Sequence, residues 1–406
     1  MKKILYSLAV PVAILNIVAG MICFRAESLP ETAGNDSQQI MEHLDRLVEV
    51  MQLIRRNYVD SDKVEAVDML RAAIMGLTVP LDPYSEYMLP EDMKELDEFT
   101  DGAFGGVGIE LTMKNAVLTV VTTVDGTPAG KAGILPGDQI IEIDGVDISK
   151  VSSDGAIGRL RGEPGSKVTV GIRRNDEEDL RTFELTREVI KLHSVRYAQV
   201  LPNTHTGYIR VTEFVLPTAD EFEEALRKLV AENIDSLIID LRGNGGGLID
   251  TAVKICSMFI KAGELVVATE GKNAVVSQSA NALENSYRIP DTIKIAVLID
   301  GGSASASEIT ASCLRDYQRA VLVGTKSFGK GSVQTVQHFS DGSGLKLTIA
   351  KYYTKSHTEI HGVGLTPDIE VKLSNDERLK LMDDPDYTHR LSVDPQVKAA
   401  VEAMCN

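Results

Sequence analysis

The 406-residue chain has no tryptophan, only four cysteines, and 42 basic residues against 59 acidic ones, a formal charge of −17. A balance this acidic excludes a nucleic-acid or anionic-membrane footprint, since both need basic patches. It says little about fold; most of the acid is spread over helical patterns and reads as a solvated surface. Cys23, Cys256, Cys313 and Cys405 are too few and too scattered for a disulfide framework or a zinc site, so no metal is expected. Cys256 and Cys313 fall in apolar helical patterns and are expected as buried thiols, with a disulfide between them the alternative in an oxidising compartment. None of the seven histidines sits at a strand end beside an aspartate, as a Ser–His–Asp triad would suggest. Hydrophobic content is an ordinary 43%, which leaves a globular chain long enough for two or three domains.

Long apolar runs are also scarce, except at the start. "MKKILYSLAVPVAILNIVAGMICFRAESLPE" sets two lysines before an uncharged stretch that lasts until Arg25. Residues 1–26 are therefore expected to be a secretory signal or a retained membrane anchor. The run is long for a signal and suits one span, yet Val18-Ala19-Gly20 offers small residues for cleavage and Pro11 interrupts the helix. Both remain open. Ile22 stands where a lipoprotein cysteine wants a small residue before it. Either way the remainder is expected to be exported, to a periplasm or to the outer face of the cytoplasmic membrane.

Residues 27–100 read as a helical N-terminal region, with apolar residues at three- and four-residue steps in "IMEHLDRLVEVMQLIRRNYV" and "VEAVDMLRAAIMGL". "LDPYSEYMLP" then breaks the pattern. From about residue 101 to 190 short strands alternate with turn pairs such as Asp125-Gly126 and Pro136-Gly137, around one helix near 153–160. "FGGVGIEL" and "AGILPGDQIIEIDG" make this module resemble a PDZ domain. The resemblance implies that Gly106, Val107, Gly108 and Ile109 present backbone N–H groups to the carboxylate of a peptide that adds to the sheet edge. Residues 191–372 alternate buried-type strands ("TGYIRV", "SLIIDLR", "IKIAVLID", "AVLVG") with helices, which predicts an α/β layer with a largely parallel sheet. Thr218 or Asp220 is expected to cap the first of those helices. Residues 373–406 form a helical tail. The fold class is multi-domain α+β.

Ligands in such sheets sit beyond the carboxyl ends of the strands, and three motifs lie there. "LIIDLRGNGGGL" runs into Gly245, Gly246 and Gly247 before a helix, a turn that suits an oxyanion but lacks the dinucleotide register. "VLIDGGSASASEIT" sets Ser305 at a turn into a helix, as exposed nucleophiles are presented, with Ser303 or Ser307 free to cap it. "VLVGTKSFGKGSVQTVQHF" comes within one residue of a phosphate loop. That loop needs a serine or threonine after the lysine and a helix from there; here Gly331 follows and "SVQTVQHF" alternates like a strand. A nucleotide hydrolase is therefore excluded.

What remains is a serine and a lysine without a histidine. A free lysine has a pKa of roughly 10.4, so about one amine in a thousand is neutral near physiological pH. Burial lowers that value. Phe328 is expected to exclude water from Lys330, and Gln334 to hold the amine without adding charge.

Taken together, "LDPYSEY", the PDZ-like module, "DLRGNGGG", "GGSASASEI", "FGKGSVQT" and "HGVGLTPDI" resemble the C-terminal processing peptidases, the tail-specific serine proteases with a Ser–Lys dyad. The resemblance covers most of the chain beyond the leader. It implies an endopeptidase in which Ser305 is the nucleophile, Lys330 the general base and Gln334 its orienting partner. Ala306, with Gly246 or Gly247, would form the oxyanion hole, and catalysis would pass through an acyl-enzyme. It implies no cofactor, substrates that are proteins or peptides with apolar C-termini, no nucleic acid, and a homo-oligomer or an ordinary docked helix at the two terminal regions. Two departures, Ser327 where threonine is common and Gly245 where proline is frequent, leave the dyad untouched. An inactive scaffold is the competing reading; intact Ser305, Lys330 and Gln334 speak against it.

Overall fold

A computed structural model describes residues 34–114, 117–124, 126–174, 179–272, 278–383 and 390–405. The expected leader, Cys23 and Asp125 lie outside them. Among the described residues no helix is long and apolar enough to cross a membrane. The chain divides into two compact units, Asp97–Ser194 and the remainder on both sides of it.

The larger unit opens with α1 (Gly34–Asn57) and α2 (Ala66–Gly76), the two helices that the periodicity predicts. After them β1 (Glu86–Met88) leads into α3 (Pro90–Asp101), along which the chain passes to the second unit. That unit holds β2 (Ala103–Gly106), β3 (Ile109–Lys114), β4 (Val117–Thr123), α4 (Pro128–Ala132), β5 (Gln139–Ile143), β6 (Val146–Asp147), α5 (Ser153–Leu160), β7 (Lys167–Arg173), β8 (Arg181–Thr186) and β9 (Glu188–Lys191). Strands β3-β4-β5-β7-β8 form one antiparallel sheet with β6 on β5, and β2 pairs with β9. Val120, Ile140, Ile143, Val170 and Ile172 fill its core with Ala156 and Leu160 of α5.

The chain then returns through β10 (Val195–Val200), β11 (Thr206–Val211), α6 (Thr218–Ala231), β12 (Ser236–Asp240), α7 (Ile249–Ser257), β13 (Leu265–Gly271) and β14 (Gln278–Asn281). Next come β15 (Lys294–Ile299), α8 (Ala306–Asp316), β16 (Ala320–Gly324), β17 (Ser332–His338), β18 (Gly344–Tyr353) and β19 (Ile369–Glu370). The tail carries α9 (Asn375–Asp383), α10 (Arg390–Val393) and α11 (Pro395–Cys405).

The central sheet runs β10-β11-β12-β15-β16-β19, parallel except for the β10–β11 pair. Residues alternate between its faces, as strand geometry requires. Leu237, Ile239, Val297 and Ile299 join α6, α7 and α8 in the main core. Ile238, Ala296, Leu298 and Val323 face the other way, onto Val397, Ala400 and Met404 of α11. The tail helix is thus docked on the sheet, covering a face that would otherwise meet water.

One sequence expectation is corrected: neither Thr218 nor Asp220 caps α6, since Pro217 is at the N-cap and the Thr218 hydroxyl accepts from Val215 N–H at 2.9 Å instead. The larger unit also holds a wholly antiparallel sheet, β1-β18-β13-β14 with β17 on β18, to which the strand-like "SVQTVQHF" contributes β17.

Candidate active site

Three strand ends of the central sheet converge. At the first, β12 ends in Asp240, which is fully buried and accepts from the Tyr208 hydroxyl at 2.6 Å and from Arg242 at 2.6 and 2.9 Å. Burial alone would raise this carboxyl, but the Arg242 charge and hydrogen bonds outweigh it and hold the group well below the usual carboxylate range. Arg242 is itself buried and paired again with Asp394 at 2.9 Å. The arginine of "DLRGNGGG" is therefore a strut for the strand end and is not free for a ligand.

Asn244 turns the chain inward. Its side chain donates to Val211 O at 2.9 Å, and its Oδ1 accepts from Gly246 N–H at 2.8 Å. Its carbonyl receives Ala304 N–H at 3.0 Å and the Ser307 hydroxyl at 2.9 Å. Gly246, at φ 99°, lies directly on the serine turn: a Cβ there would stand 2.6 Å from Ala304 O and 2.8 Å from Ser305 Cβ. No side chain fits. The Gly246 N–H is committed to Asn244, so its place in the site is steric. Among the described residues the N–H groups of Gly247 and Ala306 carry no acceptor.

The second strand end, β15, leads through Asp300 and two glycines to Ser305, the N-cap of α8. Ser305 has φ 54° and ψ −116°, a backbone that side-chain-bearing residues rarely adopt and that costs on the order of 1–3 kcal/mol. The three serines divide the work. Ser303 Oγ donates to Leu241 O at 2.8 Å and Ser307 Oγ to Asn244 O, which ties the turn to the neighbouring strand end from both sides. Ser305 is left as the strained residue between them; neither flanking serine is the cap.

The third is the lysine loop after β16. Phe328 N–H donates to Ser303 O at 3.0 Å, which joins this loop to the serine turn. Gly331 explains why the phosphate-loop resemblance fails: a Cβ there would sit 2.5 Å from His361 N. A serine or threonine has no room, and a strand, β17, follows where that loop requires a helix. The "HGVGL" stretch that crowds Gly331 also donates Gly362 N–H to Gly329 O at 2.9 Å.

Lys330 is partly buried, and its pKa is lowered, first by burial and then by the like charge of Lys346. Phe328 does not provide that burial; it is 57% exposed. The ring beside the amine is Tyr84, whose centroid lies 4.8 Å from Nζ. Tyr84 belongs to "LDPYSEY", for which the sequence suggests no role. Asp82 sets it there by accepting Tyr84 N–H at 2.8 Å, Ser85 N–H at 2.9 Å and the Thr348 hydroxyl at 3.2 Å. Gln334 donates to Ser332 Oγ at 2.9 Å and Thr348 Oγ1 at 3.1 Å. Among the described residues no hydrogen bond joins Lys330 Nζ to Ser305 Oγ or to Gln334. The structure thus brings the serine turn, the glycine loop and the lysine loop together, while the amine rests against Tyr84.

Glu308 is the residue that sequence reasoning missed. It is fully buried and accepts Ser305 N–H at 3.0 Å, Lys330 N–H at 2.8 Å, Gly329 N–H at 2.8 Å and the Ser327 hydroxyl at 2.5 Å. A serine followed three residues later by glutamate is a capping-box pattern, which was the available signal.

In the other unit, Gly106, Val107, Gly108 and Ile109 line one groove together with Phe104, Ile157, Leu160 and Arg161. The Arg161 guanidinium lies 4.7 Å from the centre of the Phe104 ring.

Known proteins share this arrangement of sequence. Residues 205–371 match Peptidase family S41 and residues 105–185 match the PDZ domain. A carboxy-terminal-processing protease of Bartonella bacilliformis is 38% identical over 355 residues, covering 85% of this chain and 79% of that protein. A probable CtpA-like serine protease of Staphylococcus aureus strain N315 is 36% identical over 334 residues, which span 81% of this chain and 65% of its own length. The crystal structure of a putative S41 protease from Bacteroides fragilis superposes with a TM-score of 0.51 at 18% identity, over 88% of this chain and 96% of that one, a likeness of fold.

Proposed function

The chain belongs to peptidase family S41, as a C-terminal processing serine protease with a PDZ domain, and on that premise we propose that it cleaves through a Ser305–Lys330 dyad and an acyl-enzyme. Ser305 Oγ attacks the peptide carbonyl as its proton passes to the neutral Lys330 amine. The oxyanion that forms takes hydrogen bonds from the N–H of Ala306 and of Gly247, the two donors left without acceptors. Collapse expels the amine, which leaves with the proton from Lys330 Nζ, and an ester to Ser305 remains. Water, deprotonated by the same amine, then releases the acid.

The observation that carries this reading is the strained Ser305 backbone, wedged against Gly246 at the start of a helix and tied to the loop of a partly buried lysine. To reach Ser305 Oγ the amine must leave the Tyr84 ring. Gln334 Oε1 is the acceptor that can hold it there, since the amide's Nε2 is occupied. Substrates are proteins with apolar C-terminal tails, taken up along the groove at Gly106–Ile109. Export is read from the leader. A homo-oligomer is read from α1, whose Met41, Leu44 and Val48 are each about half exposed; fractionation and sedimentation of the full chain test both.

The decisive assay is cleavage of an unstructured reporter with an apolar tail by wild type, Ser305→Ala and Lys330→Ala. Loss of at least 10³-fold in both folded variants is expected. Cleavage that survives Lys330→Ala refutes the base assignment.

A further inference from the structure

We propose that Glu308 is the positioning residue of this centre, a carboxylate that sets the backbone of Ser305 and the backbone of Lys330 at one fixed separation. The proposal rests on the Ser305–Lys330 reading and gives a role to a residue that reading leaves without one.

Its Oε2 accepts from the peptide N–H of both residues, Ser305 at 3.0 Å and Lys330 at 2.8 Å. Its Oε1 accepts from Gly329 N–H at 2.8 Å and Ser327 Oγ at 2.5 Å. Helix capping accounts for the Ser305 contact alone. The other three donors come from the lysine loop, 19 to 22 residues further along the chain. A carboxylate offers about four acceptor positions and no donor, so these four donors match its capacity. Through Ser327, whose Oγ also accepts Leu365 N–H at 2.6 Å, the same group braces the "HGVGL" stretch.

A second buried side chain closes the frame from the carbonyl side. Tyr352 OH lies 2.5 Å from Lys330 O and 3.3 Å from Ser305 O. Burial, reinforced by the Glu308 charge, holds this phenol well above its ordinary value, so it stays a donor. The N–H groups of nucleophile and base thus meet on one side chain and their carbonyls on another. Lys330 is thus pinned through its backbone, while its Nζ rests against the Tyr84 ring.

Glu308→Gln keeps the shape but turns one acceptor into a donor facing N–H groups. A misplacement of about 1 Å between reacting groups costs roughly 10²-fold. In the full chain, on the apolar-tailed reporter, Glu308→Gln is expected to lower kcat about 100-fold with KM within about twofold. Ser327→Ala and Tyr352→Phe, which each remove one hydroxyl from the frame, are expected to lower kcat about fivefold; Ser327→Thr, which restores the hydroxyl, recovers most of it. A folded Glu308→Gln within threefold of wild-type kcat overturns the proposal. Should Glu308→Gln fail to fold, the hydroxyl variants decide, and unchanged kcat in both overturns it. Ser305→Ala and Lys330→Ala run alongside. An active Lys330→Ala sinks the dyad whatever Glu308 does; both inert beside an active Glu308→Gln sink this inference alone.

Discussion

As the proposed base, Lys330 would act only with its amine neutral, so activity should rise with pH through the pKa of that amine. Burial lowers the value first and the positive charge of Lys346 lowers it further. Removing that charge raises it again. Lys346→Met is therefore expected to move the acid limb of kcat/KM to higher pH, with a loss of roughly two- to tenfold at pH 7 and little change at the alkaline plateau. An unmoved limb, or one that moves down, contradicts the assignment. At this scale the sequence points to candidate groups and not to their surroundings. Local motifs name Ser305, Lys330 and Gly331, and the structure ties the backbones of Ser305 and Lys330 to one buried carboxylate. Proximity in sequence points to Phe328 as the water-excluding ring, whereas Tyr84 stands over the amine from 246 residues away. No local pattern encodes a contact of that span. The sequence suggests Gln334 as the amine's partner; its amide nitrogen donates to two hydroxyls, Ser332 Oγ and Thr348 Oγ1.

Among elements, the serine turn depends on what lies against it. Strand β15, the turn and α8 follow from a continuous apolar run that gives way through two glycines to a helical pattern, and each is readable for that reason. The support is not local: Gly246 fills the space beside Ser305 from the end of another strand. Gly246→Ala places a Cβ on Ala304 O and Ser305 Cβ and forces alanine into a left-handed backbone. A loss of about 2 kcal/mol of stability is expected from the backbone alone. A loss of about 10²-fold or more in kcat should accompany it, because the turn must yield. Denaturant melts and reporter kinetics of the same preparation check both; a variant with wild-type kcat would show that the turn does not lean on the glycine. The antiparallel sheet escaped sequence reading for a related reason. Strand β17 is readable from its alternation and forms a hairpin with β18, but β1 and β13 join β18 from distant parts of the chain, and such pairings leave no periodic signature. That sheet carries Tyr352 and Gln334, and its edge strand β1 follows directly on Tyr84.

Over the whole molecule, composition points away from nucleic acid and metal-framework chemistry but is silent on how the sheet's second face is covered. Helix α11 covers it, with Val397, Ala400 and Met404 against Ile238 and Leu298. Strand end, serine turn and lysine loop belong to one compact unit, and the groove at Gly106–Ile109 to the other. In the proposed mechanism one serine of this chain is made nucleophilic by one lysine. Reaction of the full-length protein with a fluorophosphonate, followed by peptide mass spectrometry and timed labelling, tests it most directly. A single adduct on the peptide bearing Ser305 is expected, with none in Ser305→Ala and labelling of folded Lys330→Ala slowed at least 100-fold. An adduct at another residue, or Lys330→Ala labelled at the wild-type rate, would contradict it.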